Sequence, residues 1–351
     1  MTPLARIIAR RIASQGPITL ADYMAECLLH PQHGYYTTAD PFGRAGDFIT
    51  APEISQMFGE MVGLCLAQHW LDCGQPRFTL AELGPGRGTL MADVLRATAR
   101  VPGFHAAADV LLLEASPALR ARQRSTLGTH TVRFIDHIDD LPEAPLWLVA
   151  NEFFDALPIR QFTRHTDGWC ETVVGLSQDG LCLGKTAPAP LAALDHRIAD
   201  TRPGDVVELC PSALPIAQTI GARIAAHGGM ALIIDYGGWI SCGDTFQALQ
   251  DHQFTNPLAA PGAADLTAHV DFAALAQAAS PTRHAYTTQG ALLQALGIDA
   301  RAHRLAQNLA GDALQSHLAA LRRLTDPSEM GSLFKALALF RADAPLPPGF
   351  H

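Results

Sequence analysis

Several things are scarce in this chain, and each absence narrows what it can be. No apolar run reaches the roughly 18 residues that a membrane-spanning helix needs. The balance is acidic, with a net charge of −9, and no basic stripe runs along any segment, which argues against nucleic acid as a direct partner. The seven cysteines (Cys27, Cys65, Cys73, Cys170, Cys182, Cys210, Cys242) never form Cys-x-x-Cys. An odd, scattered set excludes a disulfide framework and a zinc ribbon, and fits reduced thiols in a cytoplasm. No internal repeat or low-complexity tract appears, so a solenoid is excluded as well. Charged residues are only 17% against 48% apolar, so 351 residues can bury a sizeable core, as one large α/β domain with additions or as two domains.

What is present centres on Ala81-Glu82-Leu83-Gly84-Pro85-Gly86-Arg87-Gly88-Thr89-Leu90. Phe78 to Leu83 reads as a short buried strand, and Leu90, Met91, Val94 and Leu95 then recur at helical spacing. The glycines therefore occupy a strand-to-helix turn, where backbone amides converge on a ligand. Gly84 permits the tight turn, Gly86 lets the backbone touch the ligand, and Gly88 lets the helix pack close. The spacing Gly-x-Gly-x-Gly is one residue short of the dinucleotide fingerprint, which argues against a nicotinamide oxidoreductase. Glu82 ends the strand at the same pocket, and a carboxylate there suits a cationic ligand such as S-adenosyl-L-methionine better than a pyrophosphate.

Around this stretch, residues 4–14 form an amphipathic helix. Its arginines imitate a mitochondrial transit peptide, but no Ser-rich, acid-poor run follows, so it is expected to be part of the fold of a cytoplasmic, bacterial protein. Thr19 caps the next helix, with Asp22 three positions on, and Pro31 stops it. His30 and His33 straddle that proline with no third ligand nearby, so no metal site is expected. Pro52 is placed to start one helix that runs to Gly74 with Ile54, Met57, Phe58, Met61, Val62, Cys65, Leu66 and Trp70 on its apolar face. From residue 78 strands and helices alternate, the pattern of a parallel sheet. The runs at 110–113, 132–135, 146–150 and 231–234 end in Glu114, Asp136, Asn151-Glu152 and Asp235-Tyr236-Gly237, which should converge on one crevice beyond the strand ends. Residues 160–228 and 241–290 break the alternation and read as insertions that build a substrate wall. Leu305 to Leu324 is expected to be a long amphipathic helix, and Leu333 to Phe340 a closing edge strand; both could serve a homodimer.

Glu114 can accept both ribose hydroxyls of an adenosine. In Asn151-Glu152-Phe153-Phe154-Asp155-Ala156-Leu157-Pro158, Glu152 and Asp155 can clamp a guanidinium, with Phe153 and Phe154 walling the pocket. The same residues also read as the acidic first turn of a helix, favourable to its dipole, and both readings stand at this point.

These blocks together resemble the MidA-type family of S-adenosylmethionine-dependent methyltransferases. The resemblance covers almost the whole chain and rests on Gly16-Pro17-Ile18, His33-Gly34-Tyr35-Tyr36, and the stretch from Gly46-Asp47-Phe48-Ile49-Thr50-Ala51-Pro52 to Glu60. It continues through Glu82 to Leu90, Glu114-Ala115-Ser116-Pro117 and Asn151 to Pro158. Later blocks match too: Asp235-Tyr236-Gly237, Asp265-Leu266-Thr267-Ala268-His269-Val270-Asp271-Phe272 and Met330-Gly331-Ser332-Leu333-Phe334-Lys335. It implies an α/β class I methyltransferase fold, Rossmann-like, mostly parallel and helix-covered on both faces. An N-terminal helical extension and cofactor-covering loop would span 1–75, and the methyltransferase domain with its insertions 76–351. It implies S-adenosyl-L-methionine as cofactor, with Asp47, Phe48 and Thr50 closing a site made by Glu82, Gly84, Pro85, Gly86, Gly88, Glu114, Ser116, Asp136 and Asn151. By the same resemblance the reaction is arginine N-methylation of a protein partner such as a complex I subunit, with symmetric dimethylation as product. A non-catalytic assembly factor that keeps the pocket, and a small-molecule methyltransferase, are the alternatives.

Overall fold

The structure, a computed structural model, describes residues 2–38, 50–250 and 253–351. Contacts divide the chain into two compact units. One comprises Met1–Phe48, Asp155–Ala213 and Gly238–Asp271; the other comprises Ile49–Phe154, Leu214–Gly237 and Phe272–His351. The boundary read from the sequence at 75/76 does not separate them, because Ile49–Phe154 is continuous within one unit.

The larger unit is built on β1 (Phe78–Leu83), β2 (Ala108–Leu113), β3 (Val132–Ile135), β4 (Leu146–Asn151), β5 (Gly229–Gly238), β6 (Arg283–Thr288) and β7 (Phe334–Phe340). These strands lie in the order β6-β7-β5-β4-β1-β2-β3. Pairing is parallel from β5 through β4 and β1 to β3, and antiparallel on both sides of β7. All six residues of β1 and of β4 are buried, as expected of central strands in a helix-covered parallel sheet. Chain order reverses between β1 and β4, and a switch point of this kind opens a crevice at the carboxyl ends of the strands. The aromatic cluster Trp70, Phe78, Phe104 and Trp147 fills the core, with ring centroids 5.0–5.8 Å apart. Pairs like these contribute about 0.5–1.5 kcal/mol each beyond their burial.

Three expectations about this unit are corrected. The helix expected to run from Pro52 is two: Ala51–Ile54 and Gln56–Asp72, broken at Ser55, whose extended backbone (φ −160°) lets its hydroxyl accept the Met57 amide. The second of these is buried on most of its surface, because Gly59 and Gly63 bring it against Thr89–Thr98. An added Cβ at those positions would lie 2.5 Å from Asp93 Cβ and 3.0 Å from Val94 Cα. The helix expected over 305–324 is also two, Ile298–Ala306 and Gly311–Thr325. Finally, β7 is interior, between β5 and β6, and the edge strand is β6, inside a segment read as irregular. The β7 sequence, apolar and buried at every position but Lys335, is the signal of a strand covered on both faces.

The smaller unit is antiparallel. Ile18–Thr19, Gly168–Ser177, Arg160–His165 and Val206–Leu209 form one sheet, with Gly180–Lys185 paired to Gly168–Ser177. Gln253–Thr255, Gln247–Gln250 and Asp265–Thr267 form a second. The helices Pro3–Gln15 and Leu20–Leu29 bury Leu4, Ile8, Ile12, Tyr23, Met24 and Leu28 in its core, as expected of a helix belonging to the fold. Thr19 caps the second helix as expected: its hydroxyl accepts the Asp22 amide and donates to the Asp22 carboxylate. His30 and His33 stack on one another, and no metal-binding cluster occurs among the described residues.

Candidate cofactor-binding site

The candidate site lies at the carboxyl ends of β1, β2 and β4 in the larger unit. After β1 the chain passes through Gly84, Gly86 and Gly88 at φ +61°, +51° and +82°, the left-handed region that other residues avoid. Gly84 has a second reason to be glycine, since an added Cβ would lie 2.8 Å from the Phe153 ring. The Gly88 amide donates to the Pro85 carbonyl at 2.7 Å, closing the turn, and Gly88 is the N-cap of helix Thr89–Thr98. Having no side chain, it leaves the helix amides without a local cap.

Glu82 answers part of that need. It is 3% exposed, and the Met91 amide in the helix's first turn favours its charged form. Its Oε2 is buried and has no hydrogen-bond partner among the described residues. In the register Glu82 lies between Leu112 and Val149, so its strand neighbours are apolar. Burial pushes its carboxyl up to about 8, with the Met91 amide opposing.

Glu114, just beyond β2, is better furnished. Its Oε1 accepts the Ser116 amide at 2.8 Å and its Oε2 accepts Gln123 Nε2 at 3.0 Å. Burial raises its pKa, while these two donors work the other way. Gln123 Nε2 also donates to the Gly86 carbonyl at 2.7 Å. Ser116 serves as N-cap of helix Pro117–Leu127. Asp136, beyond β3, is exposed and paired with Arg120 at 2.6 Å, and Arg120 also donates to the Glu114 and Ile135 carbonyls.

At the end of β4, Asn151 donates to Glu152 Oε1 at 3.0 Å, and its own buried Oδ1 has no hydrogen-bond partner among the described residues. Glu152 sits at φ +51°, uncommon for a residue with a side chain and a mark of functional sites. Its Oε1 also accepts the Ala51 amide at 3.0 Å, at the start of helix Ala51–Ile54. Thr50 is the N-cap of that short helix through its backbone. From the same helix Glu53 accepts the Thr89 hydroxyl at 2.5 Å. Phe153 and Phe154 meet edge to face at 5.2 Å, and the Phe154 amide donates to Asp235, whose other oxygen accepts the Tyr236 amide.

The structure thus brings Glu82, Gly84, Pro85, Gly86, Gly88, Glu114, Ser116, Asn151 and Glu152 to the strand ends, with Thr50 tied in through Ala51. Asp47 and Phe48 lie outside the described residues. Asp155 belongs to the smaller unit. There it is buried, and its charge bears on Tyr36, whose hydroxyl donates to Asp265 at 2.9 and 3.0 Å. Burial first, then Asp265 and Asp155, push the Tyr36 hydroxyl far above its ordinary range. Sequence reasoning missed Gln123 and Glu53: each is a polar residue whose partner is distant in the chain, and no local spacing marks it.

Residues 61–290 match the model of a family of S-adenosyl-L-methionine-dependent methyltransferases. The chain belongs to that family. It is 36% identical to the rat mitochondrial protein arginine methyltransferase NDUFAF7, over 97% of this chain and 84% of that one. It is likewise 36% identical to the human protein of that name, over 97% and 83%. A protein from Burkholderia thailandensis, crystallised with S-adenosyl-homocysteine bound, superposes with a TM-score of 0.85 at 31% identity, covering 99% of this chain and 93% of that one. The larger unit accordingly has the class I methyltransferase fold.

The residues of this methyltransferase fit the cofactor. Three left-handed glycines form a cradle, Glu82 offers a buried carboxylate oxygen to a cationic ligand, and Glu114 is held at the strand end where ribose hydroxyls are accepted. S-adenosyl-L-methionine supplies an electrophilic methyl group, and the protein's share is alignment and water exclusion.

Proposed function

We propose that this methyltransferase modifies arginine nitrogen in a protein partner. The observation that carries the reading is 36% identity to the arginine methyltransferase NDUFAF7 across 97% of the chain. In the transfer a C–N bond forms as the C–S bond breaks, the sulfonium becomes a neutral thioether, and the guanidinium nitrogen loses one proton. A guanidinium is cationic and its lone pairs are delocalised, so a carboxylate must orient it. Glu152, fixed by the Ala51 amide and by Asn151, supports this role from the larger unit. Asp155, three residues on in the same stretch, is the second acid the sequence offers. We extend the proposal to a complex I subunit as the partner, to symmetric dimethylation as the product, and to a cytoplasmic, homodimeric bacterial enzyme, following the family resemblance.

The test incubates the full-length protein with methyl-labelled S-adenosyl-L-methionine and a lysate in which endogenous methylation has been blocked, then hydrolyses the labelled protein. Label in methylated arginine, lost in Glu152→Gln with cofactor affinity retained, is the expected result. Label only in small molecules would install the small-molecule alternative. Cofactor binding without any transfer would favour the assembly factor.

A further inference from the structure

We infer that Gln123 is a positioning residue for the cofactor, setting the glycine loop and the ribose-facing carboxylate with one side-chain amide. It lies in helix Pro117–Leu127, where only Gln123 and Leu127 are buried, and it is 0% exposed. A primary amide is rarely buried so completely, because desolvating it is unfavourable unless its hydrogen bonds are replaced. Both of its N–H groups are used: one on the Gly86 carbonyl at 2.7 Å and one on Glu114 Oε2 at 3.0 Å. The orientation of the amide is fixed by chemistry. Turned over, its oxygen would face a carbonyl that has no proton to give. In the orientation it keeps, Oε1 is buried with no hydrogen-bond partner among the described residues. An apolar core residue would avoid that loss, so the two donor bonds are what this position is organised to make.

The consequence is coupling between two loops that are separate in the chain. Gly86 sits at φ +51° in the middle of the cradle, and its carbonyl direction fixes where the next amide points. Gly88 rests on the same residue: its absent Cβ would lie 3.4 Å from Gln123 Cα and Cγ. On the other side, Glu114 has one oxygen held by the Ser116 amide and the other by Gln123. Each oxygen keeps a lone pair for a ribose hydroxyl, and the carboxylate plane cannot rotate away from them. Gln123 does not itself need to touch the cofactor. It acts through Gly86 and Glu114, so it sets how much the ribose hydroxyls contribute to affinity.

The inference rests on the cofactor site, not on the arginine proposal. It is tested by calorimetry of the full-length protein with S-adenosyl-homocysteine and its 2′-deoxy analogue. Gln123→Met keeps length and volume and removes both donors. S-adenosyl-homocysteine should bind it about tenfold or more weakly, and the ratio between the two ligands' affinities should fall several-fold toward one, as expected for loss of hydrogen bonds to a charged acceptor. In a Glu114→Gln background Gln123→Met should change that ratio no further. Gln123→Asn, which keeps the amide but shortens its reach, gives the same reading if the Met variant does not fold. An unchanged ratio in folded protein, whether or not absolute affinity drops, would overturn the inference and leave Gln123 a core residue. Failure of the wild-type protein to bind S-adenosyl-homocysteine would overturn the cofactor site and the inference together, leaving the arginine proposal to its own test.

Discussion

The ends of β1 and β2 carry the same functional group in contrasting surroundings. Glu82 near the end of β1 and Glu114 just beyond the end of the neighbouring β2 are both buried. Burial raises the pKa of each. The donors separate them. Glu114 accepts a hydrogen bond on each oxygen, whereas Glu82 has a buried oxygen with no hydrogen-bond partner among the described residues, and the nearby Met91 amide alone favours its charge. Glu114 is therefore organised in advance to accept hydroxyls, while Glu82 is protonated near neutral pH and becomes well supported only beside a cation. Burial alone does not assign a role to a carboxylate; the donors around it do.

Four measurements break or sharpen this contrast. The largest effect is expected for Gly86→Val, which puts a branched side chain into the cradle both carboxylates border, at a φ such residues avoid. It should lower S-adenosyl-homocysteine affinity by more than about 100-fold; normal calorimetric binding by the folded variant would show that the cradle is elsewhere.

Next comes pH. The Glu82 carboxyl lies at about 8 in the folded protein against 4.5 for an ordinary glutamate carboxyl. Below 4.5 both folded and unfolded forms are protonated and Glu82 exerts no pH effect. As pH rises from there the unfolded chain ionises first, so stability falls until the folded group ionises near 8, and it is level beyond. The total is on the order of a few kcal/mol. Glu82→Gln should remove this slope; urea denaturation of both proteins from pH 4.5 to 8 reads the difference, and parallel curves would return Glu82 to an ordinary carboxylate.

For Glu114→Ala a loss of about 10–100-fold in cofactor affinity is expected, since hydrogen bonds to a charged acceptor are removed. An effect under twofold would place the ribose away from β2. The smallest change is expected for Thr89→Val. It deletes the hydroxyl that donates to Glu53 and should cost about 1 kcal/mol of stability, with at most a few-fold loss of cofactor affinity. A larger effect on binding than on melting temperature would mean that helix Ala51–Ile54 helps to cover the site.

Much of the candidate site was legible because it is local. The glycine spacing, the apolar run before it and the acidic strand ends are set within a few residues, and β1, β2, β3 and β4 fall within two residues of where periodicity put them. The illegible parts are those whose reason lies far off in the chain. Ser55 breaks a helix that its apolar pattern would have continued. Strand β7 becomes interior only because β6 pairs with its far side. Gln123 is one polar residue on an unremarkable helix until Gly86, 37 positions earlier, is placed beside it. The smaller unit is drawn from three stretches, and no local pattern announces that 1–48, 155–213 and 238–271 belong together.

The sequence by itself determined the cradle and the two acidic strand ends, because backbone sterics at glycine and the period of a buried strand are properties of short segments. It also sufficed to reveal the family, since long motifs in fixed order leave few alternatives. Only the tertiary structure decided which carboxylate is satisfied and which is not, that Glu152 takes a left-handed backbone and holds Ala51, and that Glu152 and Asp155 fall in different units. The physical reason is that desolvation and hydrogen bonding depend on which distant groups arrive, and chain spacing does not encode that.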